Sequence, residues 1–200
     1  MASSSKVLKG SVSADDHRLI AATLQGDTAA FGELVRRYQD RLYNTVFRLV
    51  DNAEDAQDVV QDAFLNAYQA LGHFKGDSLF FTWLYRIAVN TAISLKRKQR
   101  VVVRMDASRE AGAALEPADD SELSRPGHAL EQAELERRVQ NALSRLSPEH
   151  RAVLIMKDME GQKYDTMAEI LGVPIGTIRS RLHRARLELR ELLEQEEAGK

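Results

Sequence analysis

The chain has 200 residues, of which 44% are hydrophobic, 29% charged and only 6% aromatic, enough for one ordinary domain or two small ones with real cores. Eleven glycines and four prolines favour helices over a many-turned β fold, and the lack of cysteine excludes disulfide staples, thiolate metal sites and a thiol nucleophile. With 28 basic against 30 acidic residues the formal net charge is -2, so no general excess of positive charge is available to hold a polyanion.

Residues 1–14 read as an N-terminal tail without a signal-peptide apolar core. A short helix is expected from about Asp15 to Gln25, ending at Gly26. Asp27 then has the side chain to cap a helix whose apolar positions Phe31, Leu34, Val35, Tyr38, Leu42 and Val46 recur at three- and four-residue steps. The next helix starts at Asn52, with Asp55 three residues on in a capping-box-like relation. Its stripe is the most regular in the chain: Ala56, Val59, Val60, Ala63, Phe64, Ala67, Tyr68 and Leu71, closed by Gly72. Residues 51–62 carry five acids and no base, an acidic start to this amphipathic helix.

A further helix is expected over about Leu79–Arg97. At 100° per residue its positions Phe80, Leu84, Ile87, Thr91 and Leu95 share one side, expected to be core. Trp83, Arg86, Asn90, Ser94 and Arg97 share the other. An indole beside two arginines and an amide supplies a stacking plane, phosphate partners and a base-edge hydrogen bonder, as single-stranded nucleic acid requires; the alternative is a Trp83 half-buried by a neighbouring helix, with arginines that only solubilise. The preceding loop, Phe74, Lys75, Gly76, Asp77 and Ser78, is short and glycine-containing, suited to wrapping an extruded base. Residues 96–104 then carry five bases and no acid.

Residues 106–127 have two prolines, two glycines, many small residues and no sustained apolar period, the composition of a flexible acidic linker. As a relaxed coil it spans about 25 Å, and fully extended about 75 Å. The expected fold is therefore all-α: a four-helix domain over 15–105, the linker, and a second small helical domain over 128–200. In the second, a helix runs from about Ala129 to Ser144, and Ser147 with Pro148 restarts the chain as N-cap and first helical residue of a helix that stops near Gly161. A helix to Leu171, a turn at "GVPIG" and a longer helix from Ile175 to about Leu193 then fit a helix-turn-helix. Ala168 is the small residue that admits the partner helix, and Gly172 the one able to take positive φ.

On the last helix Ile175, Ile178, Leu182, Ala185 and Leu189 form the expected buried stripe, and Thr177, Ser180, Arg181, His183 and Arg184 the opposite face, with Arg179 and Arg186 at its edge. Donors of short and long reach on one helix face suit the major groove. A merely solvated basic face is the bland alternative.

Five stretches taken together carry a resemblance: "GDTAAFGELVRRYQDRLYN", "DAQDVVQDAFLNAYQAL", "FKGDSLFFTWLYRIAVNTA", "LSPEHRAVLIMKDMEG" and "VPIGTIRSRLHRAR". In this order, over roughly residues 15–195, they resemble the extracytoplasmic-function (ECF) sigma factors of bacterial RNA polymerase, the third stretch being similar to the sigma-E envelope-stress type. The resemblance implies a sigma-2 domain, a linker and a sigma-4 domain, without catalytic residues, cofactor or metal. It implies that Asp55, Asp58, Gln61 and Asp62 dock on the clamp helices of the core polymerase's largest subunit. It implies too that the Phe74–Ser78 loop with Asn90 holds a flipped base of the minus-ten promoter element, and that Arg179, Ser180, Arg181, His183 and Arg184 enter the major groove at the minus-thirty-five element. Three positions depart from the family pattern: Ser94 stands for a second asparagine, His183 for an aromatic residue, and Lys163, which cannot cap, for a serine.

A chain of net charge -2 with modest basic patches should bind duplex DNA weakly alone, since DNA affinity comes largely from neutralised phosphates. The expectation is that core polymerase supplies the grip, that the two domains pack face to face without it, hiding both DNA surfaces, and that an anti-sigma factor holds the closed form. The apolar stretches are too short to cross a bilayer, and the expected compartment is the cytoplasm. Two rival readings are a stand-alone helix-turn-helix regulator with a sensing or dimerisation domain, and a helical Mg²⁺-dependent enzyme using Asp51, Glu54, Asp55, Asp58 and Asp62. Neither is favoured by the five stretches together.

Overall fold

The computed structural model describes the backbone of residues 4–107 and 128–198, and the side chains of 14–102, 134, 135 and 137–196. It is helical, with no strand among the described residues. Helices α1 (Ser4–Leu24), α2 (Thr28–Val50), α3 (Ala53–Ala70) and α4 (Phe80–Ala107) form the first group, and α5 (His128–Arg145), α6 (Pro148–Leu154), α7 (Tyr164–Leu171) and α8 (Ile175–Ala198) the second. Most of the expected linker, residues 108–127, lies outside the described residues. The expected N-terminal tail is helical from Ser4: once a packed helix is nucleated, each further residue adds a hydrogen bond at little cost, and no proline interrupts this segment.

Each early helix starts where a short polar side chain satisfies orphan amides. Asp27 accepts from the Ala29 and Ala30 N–H groups at 2.9 and 3.3 Å, and Asn52 accepts from the Asp55 N–H at 2.9 Å. Between them α2 ends at Asp51, which takes a left-handed conformation (φ 57°) and donates its N–H to the Phe47 carbonyl. Leu34, Leu42 and Val46 of α2, Ala56, Ala63 and Ala67 of α3, and Phe80 and Leu84 of α4 are buried together. Tyr68, expected in the α3 stripe, is exposed and meets Phe31 only edge-on at 5.0 Å. Helix α1 is tied to α2 through buried Asp16, which accepts from Tyr38 Oη at 2.5 Å and Arg37 Nη1 at 2.7 Å. Burial, together with that carboxylate, pushes the Tyr38 phenol up to about 12.

Helix α4 departs most from expectation. Ile87, Thr91 and Leu95 are only half-buried, whereas Phe81, Tyr85, Ala88, Val89, Ala92 and Ile93 are buried. The apolar surface is wider because α4 has two coverings: α2 and α3 on one side, α6 and α7 on the other. The buried residues of both helical groups accordingly form one continuous cluster, from Leu19 to Ala185.

In the second group Ser147 caps α6 by accepting from the His150 N–H at 3.2 Å, with Pro148 at the first helical position. The helix expected to run to Gly161 changes pitch: residues Ile155–Met159 form a π turn, and the Glu160 N–H reaches back to the Ile155 carbonyl at 3.0 Å. Helix α7 begins at Tyr164 without a side-chain cap from Lys163, as the residue type implied. It ends at Gly172 with φ 64°, whose N–H bonds the Ala168 carbonyl, and this left-handed residue turns the chain into α8. Ile178, Leu182 and Ala185 anchor α8, while Ile175, expected in the same stripe, sits exposed at the helix start.

Two substitutions grade these contributions. Leu84→Ala, at a position fully sealed from solvent, should lower stability by about 2–5 kcal/mol, and Ser147→Ala should cost about 1 kcal/mol, both read as a fall in the denaturant midpoint at unchanged slope.

Candidate nucleic-acid interface

The first surface is built by the loop between α3 and α4 and by the face of α4 that follows. A one-turn 3₁₀ segment, Leu71–His73, carries the chain out of α3, and Gly76 takes φ 76° to reverse it. Lys75, Gly76 and Asp77 are exposed and Ser78 partly so. Phe74 is not free: its ring lies 5.2 Å from Trp83 and 6.0 Å from Phe80. Trp83 in turn packs 5.9 Å from Phe80 and is half-buried. The indole is therefore part of an aromatic wall behind the loop rather than an open stacking plane.

Further along α4 the second helical group bonds to individual residues of the predicted face, although Arg86, Asn90, Ser94 and Arg97 all stay exposed. Asn90 donates from Nδ2 to the Ile170 carbonyl at 3.3 Å, capping the C-terminal end of α7. Arg97 is bonded to Glu149 of α6. Ser94 turns inward along its own helix, its hydroxyl donating to the Asn90 carbonyl at 2.8 Å, while Arg86 is exposed. Burial alone would raise the Glu149 carboxyl, but backbone hydrogen bonding and Arg97 outweigh it and hold the group below the usual carboxylate range.

Glu160 closes the seam from the other side. Its carboxylate accepts from Thr45 Oγ1 of α2 and from Tyr85 Oη of α4, each at 2.6 Å. The π turn is what lets it do so, by displacing Glu160 from the register an unbroken helix would give. Burial and the Glu160 charge push the Tyr85 phenol far above its ordinary value, which keeps it a donor at any working pH. Asp51, at the α2 end, accepts from Gln140 Nε2 at 2.6 Å and faces buried Arg151 at 3.6 Å. Glu149, Arg151 and Glu160 did not stand out in the sequence.

The second surface is the outer face of α8. Arg179, Ser180, His183 and Arg184 are exposed, and Thr177 and Arg181 partly so. None has a hydrogen bond or ion pair to the first helical group among the described residues. Ser180 donates to the Thr177 carbonyl at 3.0 Å, and the Arg179 guanidinium lies 5.8 Å over the Tyr164 ring. Arg186 is engaged: it makes a two-pronged contact to Asp158 at 2.5 and 3.0 Å, which raises its pKa. The closed packing thus engages only one of the two predicted DNA surfaces, through Asn90 and Arg97 of α4, and hides neither, because those residues and the outer donors of α8 stay largely exposed.

The third surface lies on α2 and α3. Asp58, Gln61 and Asp62 are exposed. Asp55 is half-buried and occupied internally, accepting from Gln99 Nε2 at 3.0 Å with Lys96 at 3.9 Å. Beside them an apolar groove of about 590 Å³ runs between the helices over Val35, Tyr43, Val60 and Phe64, with Gln61 at its rim. The five acids of residues 51–62 do not converge: Asp51 and Asp55 turn to the seam and Glu54, Asp58 and Asp62 to solvent, and no group of three metal-type ligands occurs among the described residues. No described helix is long and apolar enough to cross a membrane.

Two helical groups, one ending in a helix-turn-helix and the other carrying a loop and helix of nucleic-acid type, define a two-domain DNA-binding protein. Residues 34–101 match Sigma-70 region 2 and residues 136–189 match Sigma-70, region 4. The RNA polymerase sigma-H factor of Pseudomonas aeruginosa is 38% identical over 178 residues, covering 86% of this chain and 90% of that protein. The ECF RNA polymerase sigma-E factor of Escherichia coli K12 is likewise 38% identical over 178 residues, with the same coverage. Among solved structures, CnrH in complex with the cytosolic domain of CnrY aligns at TM-score 0.61 and 28% identity, covering 90% of this chain and 98% of that one. The Bartonella quintana sigma factor RpoE, in complex with the anti-sigma factor NepR, aligns at TM-score 0.60 and 27% identity, over 82% and 96% of the two chains. The chain belongs to the ECF sigma factors, a family of transcription initiation factors rather than enzymes.

The seam makes a direct prediction. Glu160→Ala strands the Tyr85 hydroxyl and leaves Thr45 only its weaker bond to the Arg41 carbonyl, and solution scattering should show a larger radius of gyration than the parent. Of the causes that hold the Glu149 carboxyl low, its own backbone hydrogen bond stays within α6 and the Arg97 bond crosses the seam; the Arg97 part of its contribution to the closed form is complete above the ordinary carboxylate pKa and is lost as pH falls through the depressed value. The closed population should therefore shrink on acidification, less steeply in Glu149→Gln, where scattering at a series of pH values makes the comparison.

Proposed function

We propose that this chain binds core RNA polymerase in the cytoplasm and directs it to promoters, opening the minus-ten element with its first domain and reading the minus-thirty-five element with its second. The single observation that carries the assignment of surfaces is the apolar α2–α3 groove, lined by Asp40 and Gln61 and by no base, with Asp58 and Asp62 exposed on the same helix α3: apolar surface with acidic neighbours fits a basic protein partner, not a nucleic acid. The clamp helices of the polymerase's largest subunit are the proposed occupant. Asp55, held by Gln99 and Lys96, contributes less than the other acids.

In this reading Phe74, Lys75, Gly76, Asp77 and Ser78 cradle a base flipped from the non-template strand, and Asn90 supplies its hydrogen bonds. The aromatic wall of Trp83 and Phe80 supports the loop from behind, while Arg86 and Arg97 neutralise phosphates. Ser94, bonded to its own helix, reads little. On α8, Arg179, Arg181 and Arg184 reach guanine edges and phosphates, with Thr177, Ser180 and His183 making shorter contacts; Arg186, pinned to Asp158, positions the helix or releases to a phosphate. Asn90 and Arg97 must leave Ile170 and Glu149 before the first domain engages DNA, so free chain is a poor promoter binder and polymerase a required opener. An anti-sigma factor that prefers the closed packing would hold the chain inactive, as the complexes of the two solved relatives suggest.

Reconstitution with core polymerase tests this. Reversing both charges in Asp58→Lys with Asp62→Lys should weaken core binding at least about tenfold, roughly 1.4 kcal/mol, in a co-elution or fluorescence-anisotropy assay. Asn90→Ala should leave core binding unchanged and abolish or redirect promoter melting, scored by permanganate footprinting of the minus-ten element. Parent-level melting by Asn90→Ala together with Phe74→Ala would contradict the assignment.

A further inference from the structure

Four cations meet in a cavity of about 400 Å³ at the seam between the two helical groups: Lys96 and Arg100 from α4, Arg145 from the end of α5 and Arg151 from α6. Gln99 and Ser144 also line it. Arg151 is only 3% exposed, yet its Nε and Nη2 have no hydrogen-bond partner. The nearest acid, Asp51, stands 3.6 Å away, beyond hydrogen-bonding distance. Arg100 and Arg145 are exposed at the mouth and pair with no acid among the described residues. Lys96 bonds Gln99 Oε1 at 2.9 Å and lies 3.9 Å from Asp55. Burial lowers the pKa of both Arg151 and Lys96 despite these carboxylates. Positive charge in this pocket exceeds its counter-charge.

A buried guanidinium with two nitrogens lacking hydrogen bonds and its acid only at ion-pair distance is incompletely satisfied, and an interior cation is ordinarily both paired and hydrogen-bonded. Asp51 and Asp55 offset two of the four charges, leaving an excess of about two, the charge carried by a small polyanion rather than by one carboxylate. Guanidinium forks match phosphate oxygens two at a time. Apolar walls from Leu146 and Pro148 add room for an uncharged portion, and the volume falls in the range of small-molecule sites, about 300–1,000 Å³.

We propose that this cavity binds a small molecule bearing a di- or triphosphate group, which bridges α4 to α5 and α6 and stabilises the closed form. The ligand's phosphates take the unfilled valences of Arg151 and the mouth arginines close over them. Such a molecule shifts the equilibrium toward closure because both halves of its site exist together only in that form. The site needs only the closed packing, not polymerase or promoter.

Isothermal titration of the full chain near physiological salt tests it, with inorganic pyrophosphate and guanosine triphosphate as separate probes. Saturable one-to-one binding of either is expected; pyrophosphate alone identifies a bare polyphosphate site, and tighter triphosphate binding one that also holds the nucleoside. The rim variants Arg100→Glu and Arg145→Glu, whose exposed side chains leave the core intact, should each raise Kd at least about tenfold, and Arg151→Met should abolish binding while circular dichroism confirms its fold. Saturation should also bring scattering profiles toward the compact form. No saturable heat from either probe, or affinity unchanged in both rim variants, overturns the proposal. So does binding of random-sequence duplex that falls in the rim variants while both small probes stay silent, which would assign the cations to a DNA backbone.

Discussion

The closed architecture depends on one carboxylate. Glu160 belongs to the second domain, yet both of its hydrogen-bond donors, Thr45 and Tyr85, belong to the first. Tyr85 and Thr45 are both buried; Thr45 also reaches the Arg41 carbonyl, but the Tyr85 hydroxyl, sealed from water and deprived of its acceptor, would incur its full desolvation cost, about 1–3 kcal/mol. Separating the domains is therefore penalised unless solvent or a partner reaches these groups. Asn90 on Ile170 and Arg97 on Glu149 act in the same direction. Each is a residue whose proposed DNA contact competes with its present partner, so inhibition and recognition draw on the same side chains.

This arrangement makes the two promoter-reading surfaces unequal. Helix α8 presents Arg179, His183 and Arg184 to solvent with no tie to the first domain, while on the α4 face Asn90, though exposed, is bonded to α7. With a net charge of -2 the chain lacks the phosphate-neutralising excess that would let α8 alone hold duplex DNA against salt. Asp58, Gln61 and Asp62 on α3 remain exposed in the closed form. A partner can dock there first and shift the domain equilibrium by its differential affinity for the open state.

Much of this was legible in the residues because it is local. Asp27, Asn52 and Ser147 cap helices from a few positions away, and Gly172 turns between α7 and α8 by its own backbone freedom. The α8 stripe of Ile178, Leu182 and Ala185 follows from period alone. Helix α4 differs from the projection because it is covered on two sides: Phe81 packs on Tyr38 and Arg41 of α2, Tyr85 reaches Glu160 in the second domain, and a single-period projection admits one buried face. The π turn, and with it the aim of Glu160, has no short sequence signature. Arg151 did leave one, a charge heading the apolar run "AVLIM", which marks a residue about to be buried and in need of a counter-charge.

The central claim is that one chain alternates between a closed form, with α4 bonded to α7, and an open form that polymerase selects. Single-molecule energy transfer between dyes placed at exposed positions 33 on α2 and 191 on α8, outside every proposed contact surface, measures that change directly. A single high-transfer population in free chain, replaced by a low-transfer one on adding core polymerase, is the predicted result. A low-transfer population without polymerase, or transfer unchanged in the stable complex, would contradict it.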